Sequence, residues 1–540
     1  MASEFHLLYP KNYKSEQECK MRDFQFLHTL QIDAMVILLK ESFRGLPDLA
    51  LQDYVSTDPE VLEYRLAVVE DLVANDELYD AFCRSITIIH NLNEIRHVLG
   101  GDNTVDSALS SVRTLEMYQE IVTLFSEALD NAELHSEGLM DFRNQLQAIV
   151  EGEEFQSLSE EISQMEMNFG SIKSITIGMN LDVNLCPMEA GIVSVNRKPF
   201  QSGTIMDKLL HKNMNDPYAL MNSFFPLPKG LKSEELKMMN YAIRESLEKI
   251  FSKSLRDFKT IIHNYYSINT AVFVSLLNDI RFLTAGVKFV REMLELGIPM
   301  CRPVVARMEE KRCELTNVYN PMLAQKFTHE TIVSNSFQLD ENGRYYLLTG
   351  PNHGGKSIFA YSVGMAQALF QLGLFVPAEH AVMSPVSGIY THFPVSDENN
   401  YGKGRLESEC ARLGEIMKQL RDTDMLLMDE SFSSTSGLEG GYIASEVLTG
   451  IGIIGCCGIY VTHIHDLPQR IAEYNSHPQN RGKIDNLVAL MENKKDGSRS
   501  YKIARTTPDG LSYAKDIAAK YGLSLEGILH GKESENDNMD

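Results

Sequence analysis

The sequence predicts a multidomain protein in which an all-α region with a small β insertion precedes an α/β domain. Three observations support this prediction. Apolar residues recur at helical spacing through residues 1–170, short β-like runs follow near residues 172–200, and strand, loop and helix patterns alternate after residue 301. At 540 residues the chain is too long for one ordinary hydrophobic core. We place a helical core and lever region at 1–300, the α/β domain at 301–530, and an acidic tail that we expect to be disordered at 531–540.

The composition is typical of a globular protein and argues against several other classes. Hydrophobic residues make up 44% of the chain and charged residues 23%, and no apolar run approaches the about 18 residues of a membrane-spanning helix. Residues 1–14 lack a basic-then-apolar signal pattern, so we expect a cytoplasmic protein with no membrane partner. The eight cysteines form no CxxC pair, which argues against structural zinc and disulfides.

The first clear element is a helix that begins near residue 59. Leu62, Leu66, Val69 and Leu72 recur at helical spacing with charged residues between them. The preceding Thr57–Pro59 places a capping residue and a proline where a helix begins. This apolar stripe predicts a helix that packs against other helices.

A β insertion then interrupts the helical region at about 172–200. The runs Ile175–Ile177, Leu181–Leu185 and Ile192–Val195 are short and β-like, and the middle one alternates strictly between apolar and polar residues. Glycine and proline residues separate them. Helices are expected to resume with a long lever-like helix over residues 233–258 and a second helical stretch over residues 270–296.

The last region has the pattern of a mainly parallel sheet covered by helices. Tyr345–Leu348, Met425–Met428 and Ile459–Val461 are apolar runs of buried-strand length, with helix-like segments between them.

A glycine-rich loop follows the first of these strands and satisfies the complete pattern G-x-x-x-x-G-K-[ST]. Glycines let the backbone N–H groups turn inward to phosphate oxygens, and the following helix adds its positive N-terminus. Lys356 is expected to reach the outer phosphates of ATP, and the Ser357 hydroxyl to ligate Mg²⁺. The predicted nucleotide-binding residues are Gly350, Pro351, Asn352, His353, Gly354, Gly355, Lys356 and Ser357.

Two further strands end in residues that suit ATP hydrolysis. Asp429 and Glu430 follow the apolar run Met425–Met428. We expect Asp429 to hold Mg²⁺ and Glu430 to orient or deprotonate the attacking water. His463 follows the next strand and is expected to sense the γ-phosphate, with His465 as a competing candidate.

These motifs together resemble the MutS family of DNA mismatch-repair ATPases, whose ATPase domain is of the ABC type. His353 stands where the family usually has methionine. Segments similar to those of the family also occur at Asn320–Pro321 and at Tyr501–Ile503, with a closing helix expected over residues 513–523. The motifs that carry the resemblance are Thr349–Ser357, Val376–Ala378, Leu427–Glu430, Thr435–Ser436 with Gly440, and Thr462–His463.

The resemblance implies a homodimer with composite ATP sites, lever helices that carry a clamp-like β insertion, and DNA as a partner. It also shows two departures. No Phe-x-Glu wedge stands near the N-terminus, and we expect the mismatch-reading and connector domains to be absent. The motif whose serine contacts the partner's nucleotide in the family is here Gly402–Glu409, with Gly404 in the serine's place. We see no role for this segment within its own subunit, so we expect it to face the partner.

Two functions remain open on these grounds. One is a dimeric DNA-binding ATPase of DNA repair or recombination, selective for DNA structure rather than for a mispair. The other is an ATP-driven switch that acts on a protein partner without binding DNA. The net charge of −24 and the lack of any Lys/Arg-rich run favour the switch, whereas the family resemblance favours DNA binding. Candidate phosphate contacts for DNA are Lys173, Arg197, Lys198, Lys208 and Lys212.

Overall fold

The computed structural model describes residues 5–13, 21–34, 46, 48–98, 105–153, 155–158, 173–184, 187–196, 198–199, 241, 245, 270–326, 332–394, 404–433, 435–493 and 498–507. Several predictions fall outside these residues. They are the long helix over residues 233–258 (apart from Tyr241 and Glu245, both helical), the closing helix over residues 513–523, the acidic tail, and the residues Arg197, Lys208, Lys212, Gly402 and Lys403.

Contacts divide the chain into two compact units. The first consists of Met1–Phe5, Asp80–Ala132 and Asp141–Ile280, and the second of His6–Tyr79, Glu133–Met140 and Arg281–Asp540. Among the helices in the described ranges, none combines the length and the apolar character needed to cross a membrane.

Helices dominate the chain before the first strand. The predicted stripe forms helix α2, in which Leu62, Leu66, Val69 and Leu72 are fully buried. Asp58 caps this helix by accepting a hydrogen bond from the backbone N–H of Glu60 at 2.9 Å, so the predicted start is confirmed. The helices here are α1 (Gln25–Thr29), α2 (Pro59–Ala74), α3 (Asp76–Val98), α4 (Val105–Asn131) and α5 (Glu137–Val150).

The first unit has an aromatic core. The Phe125 ring lies edge-on to Phe82 and Phe142, with ring centroids 5.1 Å apart in each pair. Phe5 meets Phe142 in the same way at 4.8 Å. Such edge-to-face pairs add to the stabilisation that apolar burial provides.

The β insertion in this unit is a two-stranded antiparallel hairpin of β1 (Ser174–Leu181) and β2 (Pro187–Asn196). The prediction of a separate strand at Leu181–Leu185 is wrong, because Leu181 ends β1 and residues 182–184 lie outside both strands. The alternation of apolar and polar residues continues beyond Leu181, where the chain turns, so the alternation alone does not mark the end of the strand. Val183 is 98% exposed.

The predicted helical stretch over residues 270–296 is divided in two. It contains α6 (Thr270–Ser275) and α7 (Leu277–Glu295), which meet at Leu276. Gly297, with φ of 72°, ends α7 in the left-handed conformation that glycine adopts without strain.

The second unit contains a six-stranded sheet of β6 (Tyr345–Thr349), β8 (Ile389–His392), β9 (Met425–Asp429), β10 (Cys457–Val461), β11 (Ile484–Asn493) and β12 (Ser498–Ala504), in the order β12-β11-β6-β10-β9-β8. Neighbouring strands from β11 to β8 run parallel, and β12 is antiparallel to β11. The three predicted buried strands are confirmed as β6, β9 and β10, every residue of which is buried.

Helices cover this sheet because its strands are apolar on both faces. Leu427 lies against α9, where a β-carbon added at Gly364 would come within 2.5 Å of it. Leu426 and Met428 belong to the apolar cluster that contains Leu413 and Leu448 from two other helices. The helices are α9 (Lys356–Gln371), α10 (Arg405–Gln419), α11 (Gly437–Ile454) and α12 (Ile471–Asn475).

A second sheet in this unit has the strand order β3-β7-β4-β5. Its strands are β3 (Val304–Val305), β4 (Cys313–Val318), β5 (Asn335–Gln338) and β7 (His380–Met383), and the short helix α8 (Pro321–Ala324) follows β4.

The N-terminal segment of the second unit packs on the six-stranded sheet, which the sequence did not predict. Helix α1 lies against the edge strand β8, and the hydroxyl oxygens of Thr29 and Thr391 are 2.8 Å apart. Farther along, the Ser56 N–H donates to the Gln371 carbonyl at 2.8 Å. Strand β8 lies at the edge of the sheet, where unpaired backbone groups are expected, and α1 packs against it there.

Candidate functional site

The glycine-rich loop joins β6 to α9 and has the backbone of a phosphate-binding loop. Gly350 and Gly355 have φ values of 131° and 83°, and His353 is left-handed with φ of 58°. A β-carbon on Gly350 would lie 2.9 Å from both the β-carbon and the carbonyl oxygen of Ala489. Glycine is therefore required at residue 350 for conformation and for space.

The first turn of α9 is open to an anion. Gly355 precedes the helix and offers no side chain to cap the N–H groups of its first turn. An open cleft of about 320 Å³ lies in front of these groups, lined by Asn352–Ile358, Glu430 and His463. Free N–H groups and the positive end of the helix together favour a phosphate here.

Lys356 lies folded onto the loop. Its Nζ donates hydrogen bonds to the carbonyl oxygens of Gly350 at 3.1 Å and Pro351 at 2.9 Å. Burial lowers the pKa of Lys356 to about 8, although the nearby carboxylates of Glu430 and Asp429 act in the opposite direction. The ammonium group is thus held beside the loop, within reach of an anion that enters the cleft.

Strand β9 brings Asp429 to the start of α9. The Ser357 hydroxyl donates a hydrogen bond to Asp429 Oδ1 at 3.0 Å. Burial raises the pKa of Asp429 to about 6, and the charge of Glu430 contributes to the rise. In the ranges that the structure describes, no three His, Cys, Asp or Glu side chains converge as a metal site. A serine and one carboxylate suit Mg²⁺, which usually takes only one or two protein ligands beside phosphates.

Glu430 and His463 stand together at the ends of neighbouring strands. His463 Nε2 and Glu430 Oε1 are 2.7 Å apart, and an ionised carboxylate can only accept, so the ring N–H donates. Burial lowers the pKa of His463, and the positive charge of Lys356 lowers it further. The parallel pairing of β9 with β10 explains why residues that lie 33 positions apart meet.

Glu430–Phe432, which we term the acidic loop, has a constrained backbone. Glu430 and Phe432 are left-handed, with φ of 46° and 67°, a conformation that side-chain-bearing residues rarely adopt. The Glu430 N–H donates to the Val461 carbonyl at 2.9 Å, and the Tyr460 hydroxyl donates to the Ser431 carbonyl at 2.9 Å. Strand β10 thus holds the loop from one side.

Two residues that the sequence analysis missed hold the acidic loop from the other side. The Glu409 carboxylate accepts from the Phe432 N–H at 3.0 Å. His392 Nε2 lies 3.2 Å from the Glu409 carbonyl, which can only accept, so Nδ1 of the neutral ring accepts from the Ser431 hydroxyl at 2.6 Å. Burial lowers the pKa of His392 to about 4, and the Arg412 charge contributes. No local pattern marks these contacts, because they join residues 39 and 23 positions apart.

The segment Gly402–Glu409 therefore has a role within its own chain, contrary to our expectation. Glu409 lies near the start of α10, and its carboxylate accepts the hydrogen bond from the Phe432 N–H of the acidic loop. Gly404 precedes α10 with an ordinary φ of −64°, and a β-carbon added there would meet no atom within 4 Å. Arg405 and Ser408 line a cavity of about 230 Å³ together with Asp429 and Glu430.

Two residues of β12 flank the phosphate loop and were not assigned a role from the sequence. Tyr501 lies beside Gly355, and the charge of Arg499 contributes to the lowered pKa of Lys356. Of the lysines considered for DNA, Lys173 and Lys198 are described and belong to the first unit. Lys173 and Lys198 are both exposed at the open end of the hairpin, where the Ser174 hydroxyl donates to the Lys198 carbonyl at 2.6 Å.

Comparison with known proteins gives a consistent result over most of the chain. Residues 346–526 match the family described as MutS domain V, and residues 57–296 match the MutS2 N-terminal domain. The DNA mismatch repair protein MutS of Petrotoga mobilis is 24% identical in an alignment that covers 98% of this chain and 66% of that protein.

Two other relatives match mainly one region. MutS of Halothermothrix orenii is 30% identical over 37% of this chain and 22% of its own length. The human DNA mismatch repair protein Msh6 is 28% identical over 36% of this chain and 15% of its own length. The chain thus spans less than two thirds of the length of the relatives it matches.

Proposed function

Because the chain belongs to the MutS family, we propose that it binds and hydrolyses ATP at the loop Gly350–Ser357 and uses this reaction to act on DNA as a dimer. The observation that carries the proposal is the convergence of Lys356, Ser357, Asp429, Glu430 and His463 around the phosphate loop. In this proposal residues 1–300 form the core and lever region, and residues 301–530 form the ATPase domain.

The binding step uses the loop, the helix and Lys356. The N–H groups at the start of α9 bind the phosphates, and Lys356 exchanges its bonds to the Gly350 and Pro351 carbonyls for phosphate oxygens. Ser357 and Asp429 hold Mg²⁺, directly or through water. When bound, Mg²⁺ neutralises charge on the phosphate oxygens.

The hydrolytic step uses Glu430 and His463. Glu430 orients the attacking water and accepts its proton. His463 donates to Glu430, and its lowered pKa favours the neutral ring at pH 7. The neutral ring of His463 can turn its N–H from Glu430 to a phosphate oxygen. In this way His463 senses the γ-phosphate.

The test separates binding from hydrolysis. Lys356→Ala should lose tight ATP binding, whereas Glu430→Gln should bind ATP and lose most turnover, about 100-fold or more, because only water activation is removed. Glu341→Gln, at an exposed glutamate that is not part of the cleft lining, is the control and should behave as wild type. Wild-type turnover by Glu430→Gln would contradict the role of this carboxylate.

DNA binding through phosphates is the second part of the proposal. Lys173 and Lys198 are exposed charges on the β insertion, and few such contacts against a net charge of −24 should give weak binding that falls steeply with salt. Discrimination should follow DNA structure, such as branched or single-stranded junctions, rather than a mispair.

A titration of duplex, mismatched and branched DNA at low and moderate salt, with and without ATP, tests this part. Lys173→Ala with Lys198→Ala should weaken binding to every DNA. The matched control removes the exposed charges of Lys326 and Lys418, which lie in the other unit, and should have little effect. A strong preference for a mispair would show that mismatch reading is retained.

The alternative function is an ATP-driven switch on a protein partner. It is favoured by the net charge of −24, which repels nucleic acid over most of the surface. ATP turnover without binding of any DNA at low salt would support this alternative.

A further inference from the structure

Three spaces in the second unit share lining residues. Glu430 lines the cleft of about 320 Å³ in front of the phosphate loop. It also lines the cavity of about 230 Å³ at the start of α10, which we term the inner cavity. Phe393, Pro394 and Arg412 line both the inner cavity and a groove of about 630 Å³ between α1, β8 and α10. The inner cavity thus adjoins the cleft on one side and the groove on the other.

Arg412 stands where the inner cavity meets the groove, and its guanidinium group is incompletely paired. It is half-buried, and its Nη2 donates a hydrogen bond to the Phe393 carbonyl at 2.5 Å. Its Nε is buried and has no hydrogen-bond partner. In the part of the chain that the structure describes, no carboxylate forms an ion pair with Arg412. A half-buried cation without a counter-ion costs free energy, which the binding of an anion would offset.

Other groups that can donate hydrogen bonds to an anion also line the inner cavity. Arg405 supplies a second guanidinium group, and Ser408 and Ser433 supply hydroxyls. A volume of about 230 Å³ holds an anion of the size of phosphate together with water. The described lining therefore combines positive charge with several donors, as phosphate oxygens require.

The three carboxylates of the described lining already have partners. Glu409 accepts from the Phe432 N–H at 3.0 Å and lies 3.6 Å from Nε of Arg405. Asp429 and Glu430 accept the hydrogen bonds described above. In the proposed reaction Glu430 also takes up the proton of the attacking water, so its negative charge is removed when inorganic phosphate forms. The entrance to the inner cavity is then less repulsive to an anion.

We propose that the inner cavity binds the inorganic phosphate that ATP hydrolysis releases, with Arg412 as its cation, and that this phosphate leaves through the groove beside α1. The proposal rests on the proposed hydrolysis of ATP at the phosphate loop. Hydrolysis separates the γ-phosphate from ADP and leaves a free anion next to Glu430. Because ADP still occupies the phosphate loop at that moment, a way out past Glu430 lets phosphate leave first.

A non-hydrolysable ATP analogue separates the inner cavity from the nucleotide cleft. With the analogue and Mg²⁺ bound, the position of the γ-phosphate is filled, so added inorganic phosphate can bind only elsewhere. Calorimetric titration should then show phosphate binding to wild type. Arg412→Gln removes the charge and should weaken this binding about tenfold or more, as expected for the loss of a hydrogen bond between charged groups.

Two further variants separate the charge of Arg412 from its packing. Arg412→Lys keeps the charge and should bind phosphate more tightly than Arg412→Gln does. Lys418→Gln removes an exposed cation of the same helix that lines neither space, and it should bind phosphate as wild type does. Loss of packing alone would lower Tm in both Arg412 variants without this difference in phosphate affinity.

A single turnover of ATP tests the route. Rapid quenching measures the cleavage of ATP, and a fluorescent phosphate sensor in solution measures phosphate release. In Arg412→Gln, release should fall behind cleavage, about tenfold slower than in wild type, because the path has lost its cation. A substitution that merely disturbed the acidic loop would slow cleavage and leave release in step with it.

The outcomes distinguish this proposal from the proposed function. Equal phosphate affinity of wild type and Arg412→Gln, or no phosphate binding to wild type with the analogue bound, would overturn the site. Release that stays in step with cleavage in Arg412→Gln would overturn the route. A wild-type protein that binds no nucleotide would overturn the proposed function itself.

Discussion

Residues of the acidic loop are held by partners that are distant in sequence. The apolar run and the pair Asp429–Glu430 could be recognised locally, because a buried strand and its polar end are adjacent letters. The left-handed conformation of Glu430 and the hydrogen bonds that His392 and Glu409 accept could not be recognised locally, because they depend on which strands and helices become neighbours. The catalytic candidates were therefore predictable from the sequence, and the residues that position them were not.

Glu409→Ala tests whether the acidic loop depends on its carboxylate partner. Loss of the bond to the Phe432 N–H should let Glu430 move, and misplacement by about 1 Å can lower turnover roughly 100-fold. ATP affinity should change little, because the phosphate loop is untouched. Glu415→Ala, at an exposed glutamate of the same helix outside the segment Gly402–Glu409, is the control. Steady-state ATPase kinetics should show a fall in kcat with KM retained, and an equal effect of both variants would contradict the prediction.

His392 should make the stability of the second unit depend on pH. An unfolded histidine titrates near 6.5, and the folded pKa of His392 is about 4, so between these values only the unfolded state takes up the proton. Stability is therefore fully present above pH 6.5 and is lost as the pH falls towards 4, by about 3 kcal/mol in total.

The measurement is Tm at pH 7, 6 and 5. Wild type should lose Tm more steeply than His392→Gln, which cannot titrate. His380→Gln, at an exposed histidine, should keep the wild-type slope. Equal slopes for wild type and His392→Gln would show that the buried ring does not carry the pH dependence.

At the level of whole elements, patterns within about ten residues predicted the type of each element correctly, but they did not predict every boundary. Strands β6, β9 and β10 and helix α2 followed from apolar runs, spacing and a cap. The hairpin turn after Leu181 falls within an alternating run, and no residue pattern marks the irregular pairing of β12 with β11 around Tyr501. Both features depend on pairing between strands rather than on either strand alone.

Gly404, which stands where the family has serine, immediately precedes helix α10, and the serine side chain can be restored there. The space around Gly404 is open and its φ is ordinary, so Gly404→Ser should fold without strain. If the start of α10 faces the partner's nucleotide, the added hydroxyl should tighten the ATP-dependent dimer about tenfold through one bond to a charged phosphate.

Gly404→Ala is the matched control, because it restricts the backbone equally and adds no hydroxyl. Sedimentation velocity with ATP and Mg²⁺ compares the three proteins. Tightening by alanine as well as serine would indicate a backbone effect, and no tightening by either would argue against a contact across the dimer at this residue.

On the scale of the whole molecule, the strand order of the large sheet lies beyond local patterns. The order β12-β11-β6-β10-β9-β8 brings together strands that are far apart in the chain. Two copies of a strongly acidic chain repel each other, so we expect the proposed dimer to be stabilised by ATP if ATP binds the dimer better than the monomer.

Glu430→Gln should therefore be monomeric or weakly dimeric alone and dimeric with ATP and Mg²⁺. The variant retains nucleotide because water activation is removed, which makes the closed form long-lived. Light scattering with and without nucleotide measures the mass. A monomer under both conditions would contradict composite sites.

The cover that α1 provides for strand β8 has a consequence for how the protein is made. Thr29 and Thr391, whose hydroxyls meet, are separated by 362 positions. The buried side chains of Phe26 and Leu30 therefore leave the ribosome long before the surface they pack on has been translated. A fragment that starts at residue 301 lacks this cover, so its exposed edge can pair with other chains and self-associate. The ATPase region should be produced only together with the beginning of the chain.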